Sequence, residues 1–306
     1  MKYISVKETA QKWGISIQMV RRYCQTERIP GVILDDGNWC IPEDAQKPTA
    51  KNELKNLVAI KKSSFVNKLQ YESLKNYHYG YYEYIQINLA YSSNRIASNR
   101  LTRNQVQEAY RKNKIGVAFE PMKVDDLIET INHFICVKYM IDVVMEPLSI
   151  EQIKQFHYLL SYGTYADRKH KITVGEYRTE NVKGAIPPKK IQGALNDLIR
   201  EYESQNSDLE RILAFHVQFD QIRPFMDYNS RVGRVVMMKE CLRHNLTPFI
   251  IDDKHRSEYN RGMKKWNTDP SILLNLCTRL QNRFEGLSRM CKTMQYNRPA
   301  VGRGAR

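Results

Sequence analysis

One short run of this chain concentrates chemistry: Ile222-Arg223-Pro224-Phe225-Met226-Asp227-Tyr228-Asn229-Ser230-Arg231-Val232-Gly233-Arg234. Arginine grips phosphate through two parallel hydrogen bonds. The start of a helix adds free N–H groups and the positive end of a dipole, and a nearby aspartate can hold a divalent metal. These residue types describe a phosphate or nucleotide site. A loop of structural salt bridges uses the same residues, and spacing alone leaves the two readings even. His133, His157, His170 and His216 fall where core or hydrogen-bonded histidines are expected, His216 about two helical turns before Arg223. No P-loop, G-x-G-x-x-G, Cys/His or Ser/His/Asp arrangement stands out. The six cysteines (Cys24, Cys40, Cys136, Cys241, Cys277, Cys291) form no C-x-x-C pair and read as reduced thiols.

The elements that must position this run are mostly helices. Capping boxes at Thr102–Gln105 and Ser149–Gln152 start two of them. Apolar spacing marks others: Leu127, Ile131, Phe134 and Ile135; Ile153, Phe156, Leu159 and Leu160; Leu209, Ile212, Leu213 and Val217; Val232, Val235 and Val236. Ile172-Thr-Val-Gly175-Glu-Tyr177-Arg178-Thr179 breaks the pattern and reads as a hairpin or flap, ending near Pro187-Pro188. The tyrosines of 71–91 (Tyr77, Tyr79, Tyr81, Tyr82, Tyr84) could stack single-stranded bases, but such spacing suits a helix covering a core with amphipathic rings, and that reading is preferred.

The first 48 residues form a unit of their own. Ser5-Val6-Lys7-Glu8 is a capping box, Val6, Ala10 and Trp13 give an apolar face, and Gly14 ends the helix. Ser16 can cap a second helix with Met19, Val20 and Tyr23 inward and Gln18, Arg21, Arg22 and Gln25 outward. Two strands, 29–34 and 39–42, flank the turn Asp35-Asp36-Gly37-Asn38. Val6-x-Glu8-x-Ala10, Trp13-Gly14-Ile15-Ser16, Ile29-Pro30-Gly31, Trp39-x-Ile41-Pro42 and Ala45-x-Lys47-Pro48 resemble the small winged helix-turn-helix domains of the MerR and excisionase type. The resemblance implies that the second helix enters the DNA major groove and offers Gln18, Arg21 and Arg22, side chains able to read base edges in pairs of hydrogen bonds. A protein-interaction module with solvated arginines is the alternative.

Over most of residues 80–285 a second resemblance emerges. The 223–234 run is similar to the Fic motif, H-P-F-x-D/E-G-N-G-R-x-G-R, and Ala214-Phe215-His216-x-x-Phe219 precedes it as in that family. Gly175, Tyr177, Arg178 and Thr179 resemble the family's flap, which lines up a target segment. Pro248–Asp252 and Arg256-x-x-Tyr259 resemble its later helices. The likeness implies transfer of AMP from ATP to a protein hydroxyl with magnesium. Asp227 takes the place of the metal-binding acid, and Asn229, Ser230, Arg231 and Arg234 occupy the phosphate-holding stretch. Arg223 stands where the family has its histidine base, and arginine stays protonated; losing a positioned base costs about 10²–10⁴ in rate. Tyr228 and Ser230 replace two glycines, and a positive φ at Tyr228 would add about 1–3 kcal/mol of strain. Ser93, Ala97 and Asn99 resemble the inhibitory helix S-x-x-x-E-G/N, with Ala97 in place of the glutamate that pairs with the second motif arginine.

The expected architecture is mainly α: a winged helix-turn-helix over 1–48, a basic linker over 49–68, an all-helical Fic-like domain with a short β-hairpin flap over 69–288, and a basic disordered tail over 289–306. A net charge of +15 suits a polyanionic partner. No apolar run is long enough to cross a bilayer and the start lacks a secretory pattern, so no membrane is expected and the cytoplasm is the expected compartment. Two functions follow. In the first, a DNA-binding regulator carries a Fic-like domain that binds a nucleotide or a protein without AMP transfer. In the second, the fold is turned to another transfer from a phosphate-containing donor, with Arg223 stabilising charge. Magnesium with ATP or another nucleotide is the expected ligand set of either, and a homodimer fits paired DNA half-sites.

Overall fold

The computed structural model describes residues 3–25, 29, 32–35, 38–47, 65–114, 122–205 and 207–296, with backbone only at Arg22, Gln25, Leu34, Asp35 and 287–296. The chain divides into two units, Met1–Ser63 and Ser64–Arg306.

The first unit runs β1 (Tyr3–Ser5), α1 (Val6–Trp13), α2 (Ile17–Gln25), β2 (Ile33–Asp35), β3 (Asn38–Pro42). Ser5 and Glu8 form the expected capping box, and Gly14 closes α1 at φ +62° in the left-handed region. The Ser16 hydroxyl accepts the Met19 N–H at 3.2 Å, starting α2 after a three-residue turn. β2 and β3 are antiparallel, with Asp35 opposite Asn38, the register of a two-residue turn. Tyr3–Ser5, not expected as a strand, pairs with β3 and completes a sheet of order β1-β3-β2. Ala10, Val20, Tyr23, Cys24, Ile29 and Ile41 form the core. Met19, expected inside, is 40% exposed: Val20, Tyr23 and Cys24, three and four apart, are the stripe that faces inward. Gln18 and Arg21 are exposed as expected.

The second unit is helical: α3 (Phe65–Leu74), α4 (Tyr81–Ile96), α5 (Arg103–Lys112), α6 (Val124–Asp142), α7 (Ile150–Ser161), α8 (Tyr165–Arg168), α9 (Ile191–Glu203), α10 (Leu209–Ile222), α11 (Asn229–Arg243), α12 (Arg256–Lys265) and α13 (Ser271–Tyr296). The expected linker ends early. Phe65 begins α3 and packs edge-on against Tyr81 and Phe284, so residues 65–68 are helical. The expected tail also starts later, because α13 continues through 289–296; residues 48–64 and 297–306 lie outside the described ones.

Helix α11 is the centre of the unit. It packs against α3, α4, α6, α7 and α10, and nearly every residue from Asn229 to Leu242 is buried. A helix buried on all sides must pair its polar residues internally. Lys239, fully buried, donates to the Glu146 carbonyl at 2.7 Å and to Glu240 at 2.8 Å, and Tyr202 donates to the other Glu240 oxygen at 2.9 Å. Gly233 lets α10 come close: a Cβ there would sit 2.4 Å from the Nδ1 of His216.

Two expectations about packing change. The inward face of α6 carries Thr130, His133, Val137 and Ile141, while Ile131 and Ile135 are 41% and 50% exposed. Polar residues facing the motif helix took positions that an apolar count assigns to isoleucine. Residues 172–179 contain no paired strand; the flap is turn and loop, tied down by side-chain contacts described below. In the tyrosine stretch, Tyr81 and Tyr82 at the start of α4 are buried, while Tyr77 and Tyr79 in the turn before it are exposed. Among the described residues no helix is long and apolar enough to cross a membrane. Cys24, Cys136, Cys241 and Cys277 are buried and unpaired, and Cys40 is half-buried and unpaired.

Candidate functional site

Residues 223–228 form the loop between α10 and α11, and 229–234 are the first turns of α11. Arg223 caps α10 in the left-handed region (φ +48°, ψ +65°), its N–H bonded to the Phe219 carbonyl. Tyr228 caps α11, again left-handed (φ +63°, ψ 0°). Two such turns reverse the chain tightly enough to aim the first turn of α11 at a cavity of about 310 Å³. The first helical bond runs from Val232 N–H to Tyr228 C=O, so the N–H groups ahead of it are left for other partners.

Each motif side chain has a distinct place. Arg223 is exposed on the cavity rim with no side-chain partner among the described residues. Phe225 is buried and stacks on His157 at 3.9 Å between centroids, nearly parallel. The Asp227 side chain is 61% exposed; one oxygen accepts the Tyr228 N–H at 2.6 Å. Asn229 braces the loop from within: its Oδ1 accepts the Phe225 N–H at 2.9 Å and its Nδ2 donates to the Phe225 carbonyl at 2.8 Å. Ser230 donates to Asp220 at 2.6 Å.

The two arginines of α11 differ. Arg231 is buried, paired with Glu129 of α6 at 2.8 Å, and covered on one face by the Tyr228 ring, 3.4 Å from its centroid. The Tyr228 hydroxyl donates to the same Glu129 oxygen at 2.9 Å, and Asn99 donates to the other at 3.1 Å. Tyr228 therefore folds inward onto Arg231, and burial pushes its phenol pKa up. Arg234, 4% exposed, reaches α4: its Nε donates to the Ser93 hydroxyl and Nη2 to the Ser93 carbonyl, both at 3.0 Å. Its Nη1 is buried without a hydrogen-bond partner. Ala97, at the C-terminus of α4, lines the cavity beside it, as do Arg256, Tyr259 and Asn260 of α12.

The flap is fastened to the motif. The Arg178 N–H bonds the Pro224 carbonyl at 2.9 Å. Its guanidinium donates to the carbonyls of Arg223 and Glu180, each at 2.7 Å, and also to those of Ile222 and Ile186. Gly175, at φ +76°, donates its N–H to His157 Nδ1 at 2.9 Å. Tyr177 lies 6.1 Å from Phe225 and under Lys154, and Thr179 is exposed. Asn99 serves the loop after α4, its Oδ1 accepting the Leu101 N–H at 3.0 Å.

No imidazole reaches the cavity among its described lining residues. His133, His157 and His216 are buried beside the motif. Burial and nearby arginines hold His133 and His157 near pKa 3, and burial lowers His216 to about 4. The His216 Nε2 lies 2.6 Å from the Tyr259 hydroxyl. These rings are neutral; His157 and His216 are hydrogen-bonded, while both His133 ring nitrogens are buried without a hydrogen-bond partner. Glu129 is the residue that the motif did not announce; its one trace in the sequence is a carboxylate inside a strongly apolar helix.

Comparison with known proteins agrees with this geometry. Residues 147–241 match the family model described as Fic/DOC family. That stretch is a Fic/DOC family domain. Solved structures share the fold. A Fic domain containing signaling protein from Bacteroides thetaiotaomicron superposes with a TM-score of 0.59 at 14% identity, covering 78% of this chain and 99% of that one. Fic-1 from C. elegans gives 0.59 at 16% identity, covering 78% and 76%. A Fic family protein from Desulfovibrio desulfuricans gives 0.55 at 19% identity, covering 83% and 79%. No curated protein matches the chain.

Proposed function

We propose that this chain is a DNA-binding regulator whose Fic-fold domain holds a phosphate-bearing ligand of the nucleotide class and does not transfer AMP by a histidine-dependent route. One observation carries the second half: the position of the family's base is Arg223, exposed on the rim, and no described lining residue supplies an imidazole in its stead. Asp227 is the one carboxylate among those lining residues. With an open side chain it fits a magnesium ion whose remaining ligands come from phosphate and water; such an ion would add positive charge against phosphate oxygens. The chain's own contribution is to bind and orient: Arg223 and Arg256 at the rim, the free Nη1 of Arg234 below, and the first turn of α11.

The DNA half rests on the first unit. Two helices joined by a three-residue turn, followed by a β-hairpin, are the parts of a winged helix-turn-helix. Its second helix exposes Gln18 and Arg21 for base edges, with Ile17 and Met19 exposed beside them for apolar contact with thymine methyls. Selection of binding sequences from random duplexes is the test. An enriched site lost in Arg21→Ala with Arg22→Ala supports this half, and no enrichment overturns it. For the other half, the wild-type chain is incubated with labelled ATP, magnesium and cell extract. Absence of label is expected, and incorporation of AMP by the wild type would refute the reading. A different transfer reaction stands second, favoured by the exposed Asp227 carboxylate in the same cavity as the rim Arg223; a mass shift on any protein that depends on Asp227 would put it first.

A further inference from the structure

The Glu129–Arg231 pair bears on which ligand the cavity takes. Four guanidiniums line the cavity, those of Arg223, Arg231, Arg234 and Arg256. Arg231 is the one already matched by a carboxylate at close range: Glu129 meets its edge at 2.8 Å while the Tyr228 ring lies over its face. An approaching phosphate would have to displace a buried carboxylate that also holds the Tyr228 hydroxyl and Asn99. Removing one partner of a buried ion pair leaves an uncompensated charge, which is strongly disfavoured. The charge of Arg231 is therefore already matched within the chain, by Glu129 and, at 3.9 Å, by Asp227.

What is left open is small and local. The Nη1 of Arg234 is buried and unpartnered beside Ala97, where the α4 helix presents a methyl group. Arg223 and Arg256 are exposed at the cavity without a carboxylate partner among the described residues, while the Asp227 carboxylate lies 3.9 Å from Arg231. A phosphomonoester carries about two negative charges at neutral pH, which suits the three guanidiniums left without a salt bridge, those of Arg223, Arg234 and Arg256, when no metal ion is bound. The cavity, about 310 Å³, sits at the low end of the roughly 300–1,000 Å³ found for small-molecule sites.

We propose that the cavity takes a phosphomonoester of nucleoside-monophosphate size or smaller, and that Glu129 sets this limit by occupying Arg231. The inference rests on the anion-binding reading given above and specifies its ligand. Glu129 is a specificity-determining residue: it acts by withholding a cation that longer phosphate chains would need.

Titration calorimetry of the full chain with AMP, ADP and ATP, magnesium chelated throughout, tests it. The wild type is expected to bind AMP at least as tightly as ATP. Glu129→Gln frees Arg231 and is expected to shift preference toward ATP by about tenfold or more; the shift is expected to vanish in Glu129→Gln with Arg231→Gln, which removes the buried charges together. A wild type that prefers ATP overturns the proposal even if no variant folds. So does a Glu129→Gln preference equal to the wild type's, or a gain that persists without Arg231. In each of these cases binding itself survives, and the reading of the cavity as an anion site stands. Absence of binding to every one of the three, and to inorganic phosphate, overturns both.

Discussion

Tyr228 occupies a backbone position that suits glycine, and restoring glycine there should weaken the protein. Two opposed effects decide the outcome. At φ +63° a tyrosine carries strain of about 1–3 kcal/mol that glycine would relieve. Against this, the ring is 4% exposed, and truncating a buried aromatic costs about 3–5 kcal/mol through lost burial and the cavity left behind. The cation–π contact with Arg231 at 3.4 Å is desolvated, and such contacts reach about 2 kcal/mol. The hydroxyl bond to the Glu129 carboxylate is lost as well. The burial and ring terms exceed the strain, so Tyr228→Gly should lower stability by roughly 3 kcal/mol. For a domain of this size that lowers the melting temperature by about 6–12 °C. Urea unfolding followed by circular dichroism, with the thermal midpoint, measures it. A Tyr228→Gly protein as stable as the wild type or more so would refute the reasoning and make Tyr228 a strained obstruction.

Gly233→Ala should cost about 1–3 kcal/mol of overpacking, because the added methyl meets the His216 ring at 2.4 Å; His216→Ala in the same chain should recover part of it in the same unfolding assay. His133, His157 and His216 are neutral when folded, with pKa values near 3, 3 and 4, but take up protons near pH 6.5 when unfolded. Their contribution is therefore complete above about pH 6.5 and is lost as the pH falls toward 3. Melting temperatures from pH 7.5 down to 4 should fall, and His133→Gln, if it folds, should flatten the slope. Arg178→Met should release the flap while leaving the helices: rapid hydrogen exchange or protease cleavage over 175–186 is expected, and unchanged protection would show that the arginine does not hold it.

Much of this architecture was legible because local rules and tertiary packing agree. The Ser5 capping box, the Ser16 cap and the hairpin register that pairs Asp35 with Asn38 are local devices, and each appears where its residues stand. The motif loop was legible from its resemblance to the Fic motif, whose glycine stands where Tyr228 has its positive φ. What the sequence hid is non-local. Glu129 lies far up the chain from Arg231, and nothing in either segment names the other. The inward face of α6 was misjudged because His133 and Thr130 are buried by the motif helix while Ile131 and Ile135 are not. The flap read as a hairpin because it breaks the helical pattern; it is held instead by the Arg178 guanidinium reaching carbonyls 44 and 45 residues away and by the Gly175 N–H bonding His157. Tyr3–Ser5 became a strand because β3 offered an open edge, which a three-residue segment cannot advertise.

The grip of Arg178 on the motif has one further consequence. Every bond it makes there is to main chain: the carbonyls of Ile222 and Arg223 by its guanidinium, and that of Pro224 by its N–H. A tether of this kind makes no hydrogen bond to the side chain at 223, and feels Arg223 only as a neighbouring positive charge. The residue that decides the chemistry of the loop can be exchanged without loosening the flap or shifting the loop's path, so this scaffold separates the inheritance of shape from the inheritance of reactivity. A new chemical group can be tried at that one position while the frame that presents it stays constant.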